Sequence, residues 1–150
     1  MIRRAKIADA EQIQRLINQF ADEGRLLARS LSEIYDNLRD FYVYEGDDRK
    51  VGGVCALHIS WEDLAEIRSL AVTTEARKKG IGGKLIAACL EEARQLGVKR
   101  VFLLTYIRPY FERAGFRAVD RSVLPHKIWA DCIRCVKFPE CDETAMVLDL

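Results

Sequence analysis

The residues with the most chemical content stand at 77–83, Arg-Lys-Lys-Gly-Ile-Gly-Gly. They follow a strand-like run ending Leu70-Ala71-Val72 and open a helical pattern carried by Ile81, Leu85, Ala88, Cys89 and Leu96. A helix that starts on glycines exposes unpaired backbone N–H groups at the positive end of its dipole, which suits a phosphate. Gly80 and Gly82 let the backbone come close to an anion, and Arg77, Lys78 and Lys79 add positive charge. The turn lacks the Gly-Lys-Ser/Thr ending of a nucleotide P-loop and the G-x-G-x-x-G spacing of a dinucleotide site. A glycine-rich cap with solvated basic residues is the plain structural alternative.

A second group is Cys132, Cys135 and Cys141, spaced C-x2-C-x5-C, with His126 upstream. Three thiolates and one imidazole form an allowed structural zinc set. The second C-x2-C of common zinc sites is missing, so free thiols are the default expectation and zinc is not favoured. Cys55 and Cys89 fall on predicted core faces and read as apolar fillers.

The elements that hold these groups follow from periodicity. Ile2 to Ile7 reads as a strand, and Asp9, with Gln12 three residues on, reads as a capping box for a helix over 10–22 that Gly24 stops. Ser30 or Ser32 caps a second helix to about Arg39. Phe41 to Glu45 and Val51 to Ser60 read as a hairpin, and Leu64 to Val72 as a further strand bearing Glu66 and Arg68 on one face. The helix from Ile81 closes at Gly97, Val101 to Leu104 is a buried strand, and Pro109 opens a brief helix ending at Gly115. Phe116 to Val119 and Ala145 to Leu148 read as the last strands, joined by a long connection from Asp120 to Asp142. The order β-α-α-β-β-β-α-β-α-β-β is a mixed α/β layer architecture.

Composition narrows the classes. The chain has 150 residues, 49% of them hydrophobic, enough for one domain over 1–150 with its own core. Twenty-four basic residues against 23 acidic ones leave a net charge of +1, which argues against a nucleic-acid partner. No apolar run approaches the ~18 residues of a membrane span, and the basic start has no apolar stretch behind it. Five cysteines without a signal segment suggest a reducing, cytoplasmic setting.

The strand-turn-helix run resembles the acetyl-CoA site of the GNAT acetyltransferase superfamily, whose Gln/Arg-x-x-Gly-x-Gly/Ala turn grips the coenzyme A pyrophosphate. Arg77, Gly80 and Gly82 match that turn, and Tyr110-Phe111-Glu112-Arg113-Ala114-Gly115-Phe116 resembles the family's second motif. The resemblance covers essentially the whole chain. It implies a central mixed, twisted sheet of about seven strands flanked by about four helices, with the pantetheine arm between two splayed parallel strands. It also implies cofactor contacts from Leu70, Ala71, Val72, Arg77, Lys78, Lys79, Gly80, Ile81, Gly82, Gly83 and Phe111, with acetyl-CoA as cosubstrate. Glu66 lies where related histone acetyltransferases carry their general base; the alternative is a carboxylate paired with Arg68. Many family members have a Tyr four residues before the glycine of the second motif. This chain has Phe111 there, so either Tyr106 or Tyr110 substitutes, Tyr110 reading more as a packing residue, or the thiolate leaves without a dedicated acid.

A narrower resemblance is to bacterial N-acetylglutamate synthases in their short, single-domain form. It rests on Gly24 through Ser30, Ala65-Glu66-Ile67, Leu104-Thr105, Tyr110-Phe111 and the tail from Trp129 to Leu150. It implies L-glutamate as acceptor, the first step of arginine biosynthesis. Two carboxylates call for basic partners, for which Arg25, Arg29, Arg68 and Arg108 are the candidates, Arg29 and Arg68 foremost, with Ser30 as a hydroxyl donor. Dimers are common in the family, so a homodimer is compatible. Another small amine, a protein N-terminus or a non-catalytic acetyl-CoA sensor are the competing readings.

Overall fold

The computed structural model describes residues 1–124 and 143–150. Ile2–Arg4 forms β1, Phe41–Glu45 β2, Val51–Trp61 β3, Leu64–Val72 β4, Arg100–Thr105 β5, Arg117–Val119 β6 and Thr144–Asp149 β7. They make one sheet in the order β1-β2-β3-β4-β5-β7-β6. Every neighbouring pair is antiparallel except β4 and β5. The helices are α1 (Ala10–Asp22), α2 (Leu31–Asp36), α3 (Thr74–Lys78), α4 (Ile81–Leu96) and α5 (Arg108–Arg113). The expected mixed sheet and flanking helices are therefore present.

Of three apolar clusters among the described residues, the two largest lie on opposite faces of the sheet. Cys55, Leu57, Ala65, Ile67, Val72, Val101 and Leu103 pack with Ile81, Leu85, Ile86 and Cys89 of α4. On the opposite face, Val43, Val54, Ala56 and Ala71 pack with Ile13, Leu16 and Ile17 of α1 and Ile34 of α2. Period-two alternation assigns the two faces, so Glu66 and Arg68 point away from α4. Among the described residues no helix is long and apolar enough to cross a membrane.

Three expectations change. The β1 strand ends at Arg4, and Asp9 does not cap α1. The Arg3 guanidinium takes both Asp9 oxygens at 2.8 and 3.0 Å, and the Lys6 N–H donates to the same carboxylate at 2.7 Å. Gln12 accepts from the Val51 N–H at 3.0 Å, so its side chain is engaged with β3. The second helix is shorter than expected. Ser30 caps it and Glu33 completes the capping box, and a 3-10 turn over Leu38–Asp40 follows. Lastly, the loop expected before Gly80 contains α3, capped by Thr73, whose hydroxyl accepts from the Ala76 N–H at 3.3 Å.

Candidate active site

The site begins where β4 leaves β5. Their parallel pairing joins Leu64, Ala65 and Glu66 to Arg100, Val101 and Phe102, and both strands run on beyond it. The β4 strand carries a bulge. Val54 pairs with Ala71 and Ala56 with Arg68, which leaves one extra residue on β4. Ser69 takes it up with a φ of 58°, unusual for a residue with a side chain, and is buried. The bulge re-phases the strand so that Arg68 and Ala71 share a face, while Leu70 and Val72 pack toward α4.

Beyond Val72 the chain turns through α3 to Gly80, whose φ of 71° ends α3 and sets the axis of α4. The Lys84 N–H reaches the Gly80 carbonyl at 3.4 Å, so the N–H groups of Ile81, Gly82 and Gly83 precede the first intrahelical bond. Gly82 is buried, and a Cβ there would meet the Tyr110 hydroxyl at 2.4 Å and the Val72 side chain at 3.8 Å. Only glycine accommodates this close approach of the Tyr110 hydroxyl without displacing it. The Arg77 Nε donates to the Val72 carbonyl at 3.2 Å, and its guanidinium lies 5.7 Å from the Phe20 ring. Lys78 and Lys79 are exposed beside the turn, and Ile81 is core.

Glu66 projects from β4 with 14% of its side chain exposed, and its Oε1 lies 3.7 Å from Nη1 of Arg68. The ion pair and the access a base needs are thus both present. Arg68 shares a small cleft with Arg29, Glu33, Asn37, Asp40 and Ser69. Segments far apart in sequence, the lead into α2 and the bulged part of β4, therefore bring Arg29 and Arg68 together. Arg29 is well held: its N–H donates to Asn18 at 3.1 Å, and its guanidinium to Glu33 at 3.3 Å.

Other expected site residues are elsewhere or already engaged. The Ser30 hydroxyl accepts from the Glu33 N–H at 3.1 Å as a helix cap, which accounts for it without a substrate. Arg108 sits on the surface of α5 and donates to Glu112 at 3.0 Å, outside the Arg29–Arg68 cleft. Phe111 is 5% exposed and packs edge-on against Tyr110 and Phe116, at 5.1 and 5.9 Å between ring centroids. It supports the second motif from inside the core rather than lining a surface. Cys55 and Cys89 are free and buried, and contact with Cys89 together with burial pushes the Cys55 thiol well up. Cys132, Cys135, Cys141 and His126 lie outside the described residues.

One group was missed in the sequence. His58 of β3 pairs directly with Glu66, on the same face, and its Nδ1 lies 2.6 Å from Oδ2 of Asp40. A plain two-residue hairpin between Trp61 and Leu64 would have set Ile59 opposite Glu66. The register shift between Ile59 and Trp61 puts His58 there instead.

Residues 8–116 match the acetyltransferase (GNAT) family. The chain belongs to that family. This GNAT protein is an acyltransferase, and it has β4 and β5 paired only at their start, a bulge on β4 opposite β3, and a glycine-led helix. It is 42% identical to an uncharacterized N-acetyltransferase of Chlorobaculum tepidum, over 99% of this chain and 96% of that one. It is 34% identical to an amino-acid acetyltransferase of Mycobacterium tuberculosis, over 89% of this chain and 78% of the relative. Among solved structures, an N-acetylglutamate synthase from Neisseria gonorrhoeae, complexed with coenzyme A and N-acetyl-glutamate, superposes with a TM-score of 0.89 at 28% identity. All of this chain is covered, but only 35% of that longer protein.

Proposed function

We propose that this GNAT acyltransferase moves the acetyl group of acetyl-CoA to the α-amino group of L-glutamate. The cosubstrate's pyrophosphate rests on the N–H groups at 81–83 with Arg77, Lys78 and Lys79 around it, and its pantetheine arm enters between β4 and β5. Backbone groups of Leu70, Ala71 and Val72 border that gap, and an N–H there stabilises the oxyanion as the amine attacks. Glu66 removes the amine's proton, since an α-amino group with a pKa near ~8 is mostly protonated at neutral pH.

The observation that supports glutamate as acceptor is that Arg29 and Arg68 border one small cleft of about 10 Å³, which must widen to seat it, with Arg68 3.7 Å from Glu66. Two separated guanidinium groups match two carboxylates. A bound carboxylate on Arg68 also competes with Glu66 for that cation and leaves the base accessible to the amine. The names of the Mycobacterium and Neisseria relatives support the same acceptor class.

The test is kcat/KM for glutamate, glutamine, aspartate and a simple primary amine in a thiol-release assay. Glutamate should lead. Arg29→Ala and Arg68→Ala should each raise the KM for glutamate by at least about tenfold, since a charged hydrogen bond is typically worth ~1.5–3 kcal/mol, and leave that for acetyl-CoA unchanged. A simple amine turned over as well as glutamate, or mutants with unaltered selectivity, would refute the acceptor.

A further inference from the structure

His58 has no part in holding either substrate, yet it occupies the position directly across the strand pair from Glu66. Opposed residues in an antiparallel pair have Cβ atoms about 4.5–5.5 Å apart, within reach of a direct or single-water bridge between an imidazole and a carboxylate. Asp40 fixes the ring. With Asp40 Oδ2 accepting from Nδ1–H at 2.6 Å, Nε2 is left as the acceptor nitrogen. The accessibilities form a gradient: the Glu66 side chain is 14% exposed, and that of His58 is 35%.

Proton balance gives this arrangement a use. Acetyl transfer from a thioester to an ammonium breaks the C–S bond, forms the C–N bond and removes two protons from nitrogen. One ends on the coenzyme A thiolate and the other must reach solvent. Glu66 is the more buried group and must be deprotonated again before the next turnover. We propose that His58, oriented by Asp40, is a positioning residue that takes the amine's proton from Glu66 onto Nε2, directly or through one water, and delivers it to solvent. This rests on the role of Glu66 as base. Asp40 contacts the ring, Glu66 lies across the strand pair with Arg68 beside it, Arg39 precedes Asp40 in its turn, and Asp40 and Arg68 border a cleft with Arg29 and Glu33.

The experiment measures kcat and both KM values from about pH 6 to 10 for wild type, His58→Gln, Asp40→Asn, Glu66→Gln and the Glu66→Gln/His58→Gln double variant. The acceptor is the best amine of the specificity panel. His58→Gln should lower kcat roughly 10–100-fold at neutral pH with the KM for acetyl-CoA unchanged. The loss should narrow as pH rises and on addition of free imidazole. Asp40→Asn should follow the same trend more weakly, and the double variant should be no slower than Glu66→Gln. A His58→Gln kcat within about twofold of wild type overturns the inference, as does a pH-independent loss that multiplies with that of Glu66→Gln. A lowered melting temperature with unchanged kcat per folded molecule also overturns it. If Glu66→Gln is itself harmless, the base falls and the relay with it. If Glu66→Gln is slow and His58→Gln is not, only the relay falls.

Discussion

Substituting the three glycines of the turn one at a time should give three different outcomes, because each is glycine for a different reason. At Gly82 the φ is ordinary and the constraint is space. A methyl group would sit 2.4 Å from the Tyr110 hydroxyl, so that oxygen must retreat by at least about 0.6 Å. The phenol is the far end of a half-buried side chain and can swing, so Gly82→Ala should cost stability only ~1 kcal/mol, the low end of overpacking. In the proposed binding mode the same methyl crowds the cofactor phosphates beside the N–H groups at 81–83. Losing one or two charge-assisted bonds to the phosphates is worth about 1.5–3 kcal/mol, or roughly 10–150-fold in Kd for coenzyme A. Gly83 has nothing within 4 Å of its Cβ position, so Gly83→Ala should be neutral or slightly stabilising, with affinity retained. Gly80 has equal space but a φ of 71°, so Gly80→Ala should lose ~1–2 kcal/mol from backbone strain alone. Calorimetry for Kd and thermal unfolding for stability read the two effects separately. Tyr110→Phe removes the clashing oxygen and should restore the stability of Gly82→Ala without restoring its affinity. Wild-type affinity in Gly82→Ala, or a stability loss that Tyr110→Phe leaves untouched, would refute this account of the turn.

Glu66→Gln should lower kcat roughly 10²–10⁴-fold at neutral pH and less at high pH, with coenzyme A affinity preserved by calorimetry. Phe111→Tyr adds a hydroxyl inside a ring cluster that is 5% exposed, so it should lower stability by about 1–3 kcal/mol and leave kcat per folded molecule near wild type. The Arg3 guanidinium holds the Asp9 carboxyl below its usual range, with the Lys6 N–H adding to the effect. Its stabilisation is therefore complete above the unfolded value of about 3.9 and lost as pH falls through the lower folded value. Asp9→Asn should cost ~2 kcal/mol at neutral pH, lowering the melting temperature by about 5 °C, and flatten the stability profile below about pH 4.

What the sequence made legible is what local rules control. The β2 and β4 boundaries, α1, the cap at Ser30, the αL stop at Gly97 and the glycine-led α4 all follow from periodicity or from a residue suited to a special conformation. Where long-range partners compete, local rules failed. Asp9 has the chemistry of a cap, but a guanidinium from β1 offers it two stronger bonds. Thr73 and the short α3 were hidden because the basic residues after them drew the segment into the anion-binding turn. Phe111 carries the right motif position, yet its burial is decided by Phe116 and Tyr110 closing around it. Arg29 and Arg68, which line one cleft, were legible only through the family resemblance, since composition and periodicity cannot connect their two segments.

The bulge at Ser69 joins these threads. A regular β4 would alternate without interruption, placing Leu70 with Glu66 and Arg68, and sending Ala71 to the α4 side. The extra residue reverses that phase midway along the strand. Its first half then carries Glu66 and Arg68 on the face of the proposed acceptor cleft, and its second half seats Ala71 in the α1 core and Val72 in the α4 core. The bulge lies just beyond the end of pairing with β5 at Glu66, in the stretch proposed to border the cofactor arm. A serine with a φ of 58° costs the fold on the order of 1 kcal/mol, and nothing in the residue type advertises it. The strain is local, whereas its consequence runs along the strand: with one residue out of phase, Ala71 stays on the face that Glu66 and Arg68 share, and Leu70 and Val72 close the core against α4.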